Sequence, residues 1–175
     1  MRVAYVRARG LVRTGAMREL ASFVDAKNLQ VMGICEIDAG DALSLATRFA
    51  LQWAYRGRQA LFWKAPFRVH AVHDRYLPVR VPHLFDRRGL LIVDADIEGE
   101  PCMLAATQIS AEREGYVPEM RFARSHMRGA QRALLFAELP DYGIGFADLG
   151  FAQIAHGIFA RGFSSGELRA ESATV

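Results

Sequence analysis

Two apolar runs of strand length flank an amphipathic segment at the start of the chain. The runs occupy residues 2–6 and 29–36, and Thr14 is a suitable N-cap for a helix that ends at Lys27. The apolar residues of this segment recur at helical spacing and would share one face: Met17, Leu20, Ala21 and Val24. The order strand, helix, strand predicts an α/β domain.

The middle of the chain is richer in predicted strands than in helices. Asp41 caps a short helix, whose apolar side is predicted to be Leu43, Ala46, Phe49 and Ala50. Apolar runs of strand length follow at residues 51–55, 59–64, 67–73, 89–97 and 101–108. The last two runs predict a hairpin. Residues 74–88 contain Arg-rich and Pro-rich breaks, which predict a loop.

The longest predicted helix runs from Pro118 to Leu139. The side opposite its apolar face carries an arginine stripe: Arg121, Arg124, Arg128 and Arg132. Such a stripe is either a solvated face or a phosphate-binding surface, and the pattern alone favours the solvated face. The chain then passes through an apolar run at 157–163 to a polar segment, 164–175, which is predicted to be a flexible tail.

The length and composition of the chain limit the classes of protein to which it can belong. A chain of 175 residues with 51% hydrophobic and 23% charged residues predicts one folded domain spanning residues 1–175. No apolar run approaches the roughly 18 residues of a membrane span, and the first residues lack the apolar core of a signal peptide. We therefore expect a cytoplasmic protein without a membrane partner. Cys35 and Cys102 lie inside apolar runs, which predicts buried free thiols.

The chain is only mildly basic. Its net charge is +3 and its pI is about 9.1, and of 22 basic residues only Lys27 and Lys64 are lysines. The planar fork of arginine suits phosphate and carboxylate groups, but codon usage in a GC-rich genome is the favoured explanation of the excess of arginine. Charge alone therefore does not establish a nucleic-acid partner.

Several stretches, in chain order, resemble those of the endonuclease/exonuclease/phosphatase superfamily, which has the deoxyribonuclease-I-like fold. MRVAYVRARG is similar to the opening strand RVATWNIRG of that superfamily, and VMGICEID is similar to its later strand VVGLQEVD. RRGLLIVDADIEGEPCMLAATQIS looks like an arginine-led hairpin that ends in THL. IGFADLGFA looks like VVLAGDFNA, and QIAHGIFARGF looks like RIDHIFVRG. The resemblance implies a two-sheet α/β sandwich that is shortened in its C-terminal half.

The superfamily hydrolyses phosphoesters with the help of Mg²⁺, and the resemblance assigns its roles to residues of this chain. Glu36 takes the place of the metal ligand at the end of the second strand. Arg7 replaces the Asn of the first strand, and Gln108, which cannot titrate, replaces the His of THL. Asp148 takes the place of the catalytic Asp, while Gly150 replaces the Asn that orients it.

The resemblance also implies two phosphate-binding arginines. Arg88 leads the hairpin, and Arg128 begins an Arg-x-x-Gln like that of the superfamily's next helix. Ala155 replaces the acid of the late IDH stretch and is followed by His156, whereas the closing Ser-Asp-His has no counterpart. The resemblance therefore implies a member whose site is altered at several positions.

The residue at position 7 suggests how such a site could be balanced electrostatically. Two carboxylates that face one another repel unless a cation lies between them. We expect the guanidinium of Arg7 to lie where the metal would and to pair with Glu36 and Asp148. The alternative is that Arg7 points to solvent from the end of its strand.

Two other sets of residues have side chains of the kinds that occur in metal or catalytic sites. His70 and His73 are three apart on a predicted strand, so they are expected to face opposite sides and not to share a metal. Cys35 lies beside Glu36 but has no recognisable histidine base, which favours a small buried residue over a nucleophile. Neither set is predicted to form a site.

The sequence leads to one leading function and two alternatives. The leading hypothesis is a catalytically impaired domain of this superfamily that binds or assembles and needs no metal. The alternatives are a Mg²⁺-dependent phosphodiesterase or nuclease that uses Glu36 and Asp148, and a decayed product without a selected activity. Missing late strands would expose a sheet edge, so we expect a homodimer or a protein partner that covers it. Nucleic acid or another phosphoester is the expected ligand class.

Overall fold

The computed structural model describes residues 1–8, 14–78, 88–140, 145–164 and 166–174. The helices are α1 (Thr14–Lys27), α2 (Ala39–Phe49) and α3 (Arg113–Met127), and a 3₁₀ turn spans Ala147–Leu149. The strands are β1 (Arg2–Arg7), β2 (Val31–Cys35), β3 (Gln52–Arg56), β4 (Gln59–Trp63), β5 (Phe67–Tyr76), β6 (Gly89–Ile97), β7 (Glu100–Gln108), β8 (Ala133–Glu138), β9 (Ala152–Ala155), β10 (Ile158–Arg161) and β11 (Arg169–Thr174). No described helix combines the length and the apolar character that a bilayer crossing requires.

The strands form two mixed sheets. The first sheet has the order β11-β1-β2-β4-β3, in which β1 runs parallel to both β11 and β2. The second has the order β5-β6-β7-β8-β10-β9, in which β7 and β8 are parallel and the remaining pairs are antiparallel. This arrangement confirms the two-sheet α/β sandwich predicted from the sequence.

Apolar side chains fill three layers. Between the sheets, strand residues of both sheets form one buried cluster that includes Tyr5 and Phe136. Helices α1 and α2 bury Leu20 and Leu45 against the outer face of the first sheet. Helix α3 packs in the same way on the second sheet. Gly33 marks a close approach of the sheets, because a Cβ atom there would lie 2.3 Å from Cβ of Phe136.

The apolar face of α2 differs from the predicted one. The helix begins at Ala39, two residues before the predicted cap Asp41, and its buried residues are Ala42, Leu45 and Ala46. Leu43, which was predicted to face the core, is 53% exposed. The face of α2 that packs against β2 and β4 is therefore rotated by about one position from the face that the spacing of its apolar residues predicts.

The prediction of one helix over residues 118–139 is wrong. Helix α3 ends at Met127, and residues 133–138 form β8, in which Ala133 to Ala137 are buried. An uninterrupted apolar run fits a buried strand as well as a helix, and here pairing with β7 and β10 decides the outcome. Of the predicted arginine stripe, Arg132 therefore lies outside the helix and pairs with Glu167.

Two other boundaries differ from the sequence-based prediction. Residues 169–174, placed in a flexible tail, form β11 beside β1. Residues 74–76, predicted to begin a loop, continue β5 to Tyr76. Most of that predicted loop, 79–87, lies outside the described residues.

A β-bulge in β5 changes where its histidines point. The register with β6 shifts between Val69 and Ala71, which leaves His70 as the extra residue. His70 Nε2 lies 2.7 Å from Asp96 Oδ2, and His73 Nε2 lies 3.1 Å from Asp94 Oδ2. Asp94 and Asp96 are two apart on a strand and share a face. The prediction that the two histidines face opposite sides is therefore wrong.

Candidate functional site

Four polar side chains stand at the ends of strands from both sheets. Arg7 ends β1, and Glu36 directly follows β2, its parallel neighbour in the first sheet. Gln108 ends β7, and Glu138 ends β8, its parallel neighbour in the second sheet. Parallel neighbours present their carboxyl ends at one edge, so each sheet contributes two adjacent polar residues to the same end of the sandwich.

The guanidinium of Arg7 bridges the two carboxylates. Its Nη1 atom lies 2.5 Å from Glu138 Oε1, and its Nη2 atom lies 3.3 Å from Glu36 Oε1. The Gln108 side chain reinforces the bridge, because its Nε2 donates to Glu36 Oε1 and to Glu138 Oε2, both at 3.2 Å. The predicted pairing of Arg7 with Glu36 is confirmed, and we call these four residues the Arg7 cluster.

Glu36 reaches the cluster through an unusual backbone conformation. Its φ angle is +62°, in the left-handed region that a residue with a Cβ rarely adopts. Backbone hydrogen bonds from Ala8 N to Cys35 O and from Ile37 N to Arg58 O hold the flanking residues. The surrounding structure thus imposes a turn that directs the Glu36 side chain toward Arg7, and such enforced turns are frequent at functional sites.

A buried polar layer lies beneath the cluster. The hydroxyl of Tyr5 is 2.9 Å from Cys35 Sγ, and the thiol of Cys35 donates to Glu138 Oε2 at 3.7 Å. Burial raises the pKa of the Cys35 thiol to about 12. It also raises the pKa of the Tyr5 hydroxyl well above its ordinary value. Cys35 is therefore a neutral buried thiol, as the sequence predicted, and serves as a donor to Glu138 rather than as a nucleophile.

His156 extends this layer toward the β9–β10 turn. Its ring lies edge-on to Tyr5, with centroids 6.3 Å apart and an interplanar angle of 63°. Gly157 makes the approach possible, because its φ is +70° and a Cβ atom there would lie 2.2 Å from the Tyr5 ring. The structure thus places His156 behind Tyr5, which in turn contacts Cys35.

The Arg7 cluster lies at the boundary with solvent. The side chains of Arg7, Glu36 and Glu138 are 29%, 22% and 23% exposed. Partial burial lowers the pKa of Arg7, but the hydrogen bond to Glu36 and the charge of Glu138 outweigh it and raise that pKa overall. The guanidinium is thus a permanent cation between two partly screened acids.

The side chains present do not fit the Mg²⁺ ion that the superfamily resemblance implies. Mg²⁺ takes oxygen ligands in a near-octahedral shell. In the Arg7 cluster, Glu36 Oε1 and both carboxylate oxygens of Glu138 accept hydrogen bonds or an ion pair from Arg7, Gln108 or Cys35. Across the described part of the chain, no three His, Cys, Asp or Glu side chains are grouped so that they could hold a metal.

Asp148 does not join the cluster. It lies in the 3₁₀ turn Ala147–Leu149, is 64% exposed, and pairs with Arg124. The hydrogen bond from Arg124 holds the pKa of its carboxyl below the usual range. The second acid that the structure brings to Arg7 is Glu138. Sequence reasoning missed it because the run that precedes it was assigned to a helix.

The two predicted phosphate-binding arginines also lie in different surroundings. Arg88 Nη1 is 3.4 Å from Glu119 Oε1, and the other oxygen of that buried carboxylate accepts from Ser110 N at 2.6 Å. Arg128 is the exposed C-cap of α3. The predicted Arg-x-x-Gln therefore falls beyond the end of the helix.

Comparison with known proteins supports the fold through structure alone. No family model matches the chain. No curated protein matches its sequence either. Among solved structures, D. rerio TDP2 humanized by 14 mutations has a TM-score of 0.69 at 14% identity, covering 92% of this chain and 82% of its own. An endonuclease/exonuclease/phosphatase family protein from Bacteroides thetaiotaomicron has a TM-score of 0.68 at 12% identity, with coverages of 90% and 81%.

A third solved structure leads to the same conclusion. The mannosyl-6-phosphatase of Bacteroides thetaiotaomicron has a TM-score of 0.62 at 13% identity and covers 89% of this chain and 67% of its own. Similarity at such low identity is informative about architecture rather than activity. The chain therefore has the deoxyribonuclease-I-like fold that the resemblance of its sequence implies.

Proposed function

We propose that this domain is a non-catalytic relative of the phosphoesterases that share its fold, and that it acts by binding or assembly. The observation that carries the proposal is the position of Arg7, whose guanidinium contacts Glu36 and Glu138 at once. Glu36 is the residue to which the resemblance assigns the metal. A fixed organic cation thus takes the charge-balancing role that Mg²⁺ has in the active members.

The substitution preserves charge balance but not the chemistry. A guanidinium relieves the repulsion of two carboxylates and donates hydrogen bonds to both. Mg²⁺ would act as a Lewis acid toward a phosphoryl oxygen, which Arg7 cannot do. Gln108, in place of the superfamily's histidine, cannot exchange a proton at neutral pH. The cluster therefore supports a stable polar surface rather than phosphoester hydrolysis.

One observation favours a second candidate, a Mg²⁺-dependent phosphodiesterase. Arg7 is 29% exposed, so its side chain can leave the cluster without opening the core. Glu36 and Glu138 would then face one another without a cation and would attract one. This candidate differs from the predicted one, since its second acid is Glu138 rather than Asp148.

Mg²⁺ titration by calorimetry tests the proposal against this alternative. We expect no binding by the wild-type protein and a gain of binding by Arg7→Asn, which frees both carboxylates. Arg18→Asn is the matched control, because Arg18 is an exposed arginine on α1 and its loss changes the net charge equally. We expect that control to behave like the wild type.

Hydrolysis of a generic phosphodiester completes the comparison. We expect no activity from the wild-type protein with or without Mg²⁺. Mg²⁺ binding by the wild type, together with hydrolysis that is lost in Glu36→Ala, would overturn the proposal and establish the phosphodiesterase. The similar structures include both TDP2 and a mannosyl-6-phosphatase, so the fold does not choose a substrate.

A further inference from the structure

A groove of about 560 Å³ lies between the outer face of α3 and the segment 145–148. Val117 and Met120 contribute apolar surface to it. Arg121, Arg124 and Arg128 also line it, and the carboxylate of Asp148 is the acid among its described lining residues. Over these described residues, three guanidinium groups and one carboxylate leave a surplus of two positive charges. The groove is separate from the Arg7 cluster, since the two share no lining residue.

The three arginines are arranged along one helix face. They are three and four residues apart, so they fall on the same side of α3. At a rise of about 1.5 Å per residue, the outer two are separated by roughly 10 Å along the helix axis. The row consists of the predicted arginine stripe without Arg132, which lies outside the helix.

The middle arginine is fixed and the outer two are available. Arg124 donates to the carbonyl oxygen of Gly145 and to the carboxylate of Asp148, which holds the far wall of the groove against the helix. Arg121 and Arg128 are exposed, and no hydrogen bond or salt bridge joins either to a described residue, while the charge of Arg128 adds to that of Arg124 in lowering the pKa of Asp148. The outer guanidinium groups can therefore receive a ligand without breaking a contact in this part of the structure.

The chemistry of the lining selects the class of ligand. Guanidinium groups bind phosphate oxygens in a bidentate manner and keep their charge at any physiological pH. Proteins that contact the bases of single-stranded nucleic acids stack those bases on aromatic side chains. No aromatic side chain is among the described residues that line the groove. The described lining would therefore hold a ligand by its backbone charges.

We propose that this groove binds a chain of phosphate groups, such as single-stranded nucleic acid or inorganic polyphosphate, through Arg121 and Arg128 on either side of Arg124. The spacing of the outer arginines requires a ligand with more than one phosphate. The site is independent of the proposed function, because none of its residues belongs to the Arg7 cluster.

Fluorescence anisotropy with a labelled oligothymidylate of about 12 nucleotides tests the proposal, a length within the range of single-strand binding sites. The test variant is Arg121→Gln with Arg128→Gln, which leaves Arg124 and its contacts in place. Its matched control is Arg18→Gln with Arg48→Gln, two exposed arginines of α1 and α2 whose loss lowers the net charge equally. Circular dichroism confirms that both variants are folded.

We expect the test variant to bind on the order of tenfold or more weakly than the wild type, as for the loss of two phosphate contacts. The logarithm of its binding constant should fall less steeply with the logarithm of the salt concentration. The slope should be smaller by about 1.4, because each single-strand phosphate contact contributes about 0.7. The control should match the wild type. The proposal is overturned if the wild type does not bind either ligand, or if both double variants lose affinity equally, because binding would then depend on net charge alone.

Competition with inorganic polyphosphate distinguishes the two sources of phosphate. Displacement of the oligonucleotide supports recognition of the phosphate chain by itself. If the wild type binds polyphosphate but not the oligonucleotide, and the test variant loses that binding, the proposal is also supported and the ligand is assigned to polyphosphate. An oligonucleotide that polyphosphate does not displace overturns it, because contacts other than phosphate would then hold the ligand.

Discussion

The guanidinium of Arg7 lies 2.5 Å from the carboxylate of Glu138, so a residue that ends a strand of the first sheet is paired with one that ends a strand of the second. The same guanidinium also contacts Glu36, which belongs to the first sheet. Gln108 makes the complementary link from the second sheet to Glu36. The two layers of the sandwich are therefore tied by polar contacts at the end where the resemblance places a catalytic site.

Removal of the central cation should destabilise the fold. Arg7→Met leaves Glu36 and Glu138 facing each other, and we expect the free energy of unfolding to fall by about 1–2 kcal/mol, between the values for exposed and buried pairs. Urea denaturation measures this change. Adding Glu36→Gln and Glu138→Gln to Arg7→Met should recover most of the loss, because the neutral side chains no longer repel. A triple variant as unstable as Arg7→Met would show that repulsion is not the cause.

The close approach of the sheets predicts a position that does not accept a methyl group. Gly33→Ala would place its Cβ atom 2.3 Å from Cβ of Phe136, so a backbone shift is required. We expect a loss of about 1–3 kcal/mol in the free energy of unfolding. Gly40→Ala is the control, because nothing lies within 4 Å of its added Cβ and it belongs to a helix. That variant should be neutral or more stable by up to about 1 kcal/mol.

The buried thiols predict how stability changes with alkaline pH. Burial raises the pKa of Cys102 from 9.0 to about 12. Below pH 9 both the folded and the unfolded thiol hold the proton, so the contribution is constant there. Between pH 9 and 12 only the unfolded thiol ionises, and the free energy of unfolding falls as the pH rises.

Urea denaturation across that alkaline range measures the slope. Cys102→Ala should give a shallower decline than the wild type, whatever its effect on absolute stability. Maleimide labelling should agree, with Cys35 and Cys102 reacting only after denaturation. An unchanged slope in Cys102→Ala would contradict the assignment.

The expected homodimer or covering partner stays a prediction. Among the described strands, β11 pairs on one side only, with β1, and so presents an edge. Light scattering at micromolar concentration should report a mass above that of the monomer. Ser172→Lys, an exposed position on β11, should shift the protein toward the monomer, whereas Ser44→Lys on α2 should not. A wild-type protein that is monomeric at that concentration contradicts the expectation of a homodimer.

Sequence reasoning succeeded where the pattern had one physical solution. The helix predicted to follow an N-cap at Thr14 and to end near Lys27 is observed as Thr14–Lys27, because apolar residues recur there at one spacing only. Residues 133–138 had two solutions, since an apolar run without polar interruptions suits a helix or a buried strand. Only the partners β7 and β10, which come from elsewhere in the chain, distinguish them.

The candidate site was affected by the same ambiguity. Both strands that lead to Arg7 and Glu36 were predicted, with bounds that differ by one or two residues, and the pairing of the two side chains was anticipated. Glu138 was missed although it repeats the signal of Glu36, an acid directly after an apolar run. The β-bulge at His70 could not be foreseen either, because one extra residue in a ladder leaves no mark in the spacing of hydrophobic residues.

The parallel pairing of β1 with β11 has a consequence for how the chain is made. Arg2 is in register with Arg169, so β1 acquires its second neighbour only after the segment that contains Arg169 has been synthesised. Contacts of such long range slow folding, because a large loop must close before they form. A nascent chain arrested before residue 169 should therefore show fast exchange at those β1 amides that bond to β11, and protection of these amides should appear only once β11 has emerged.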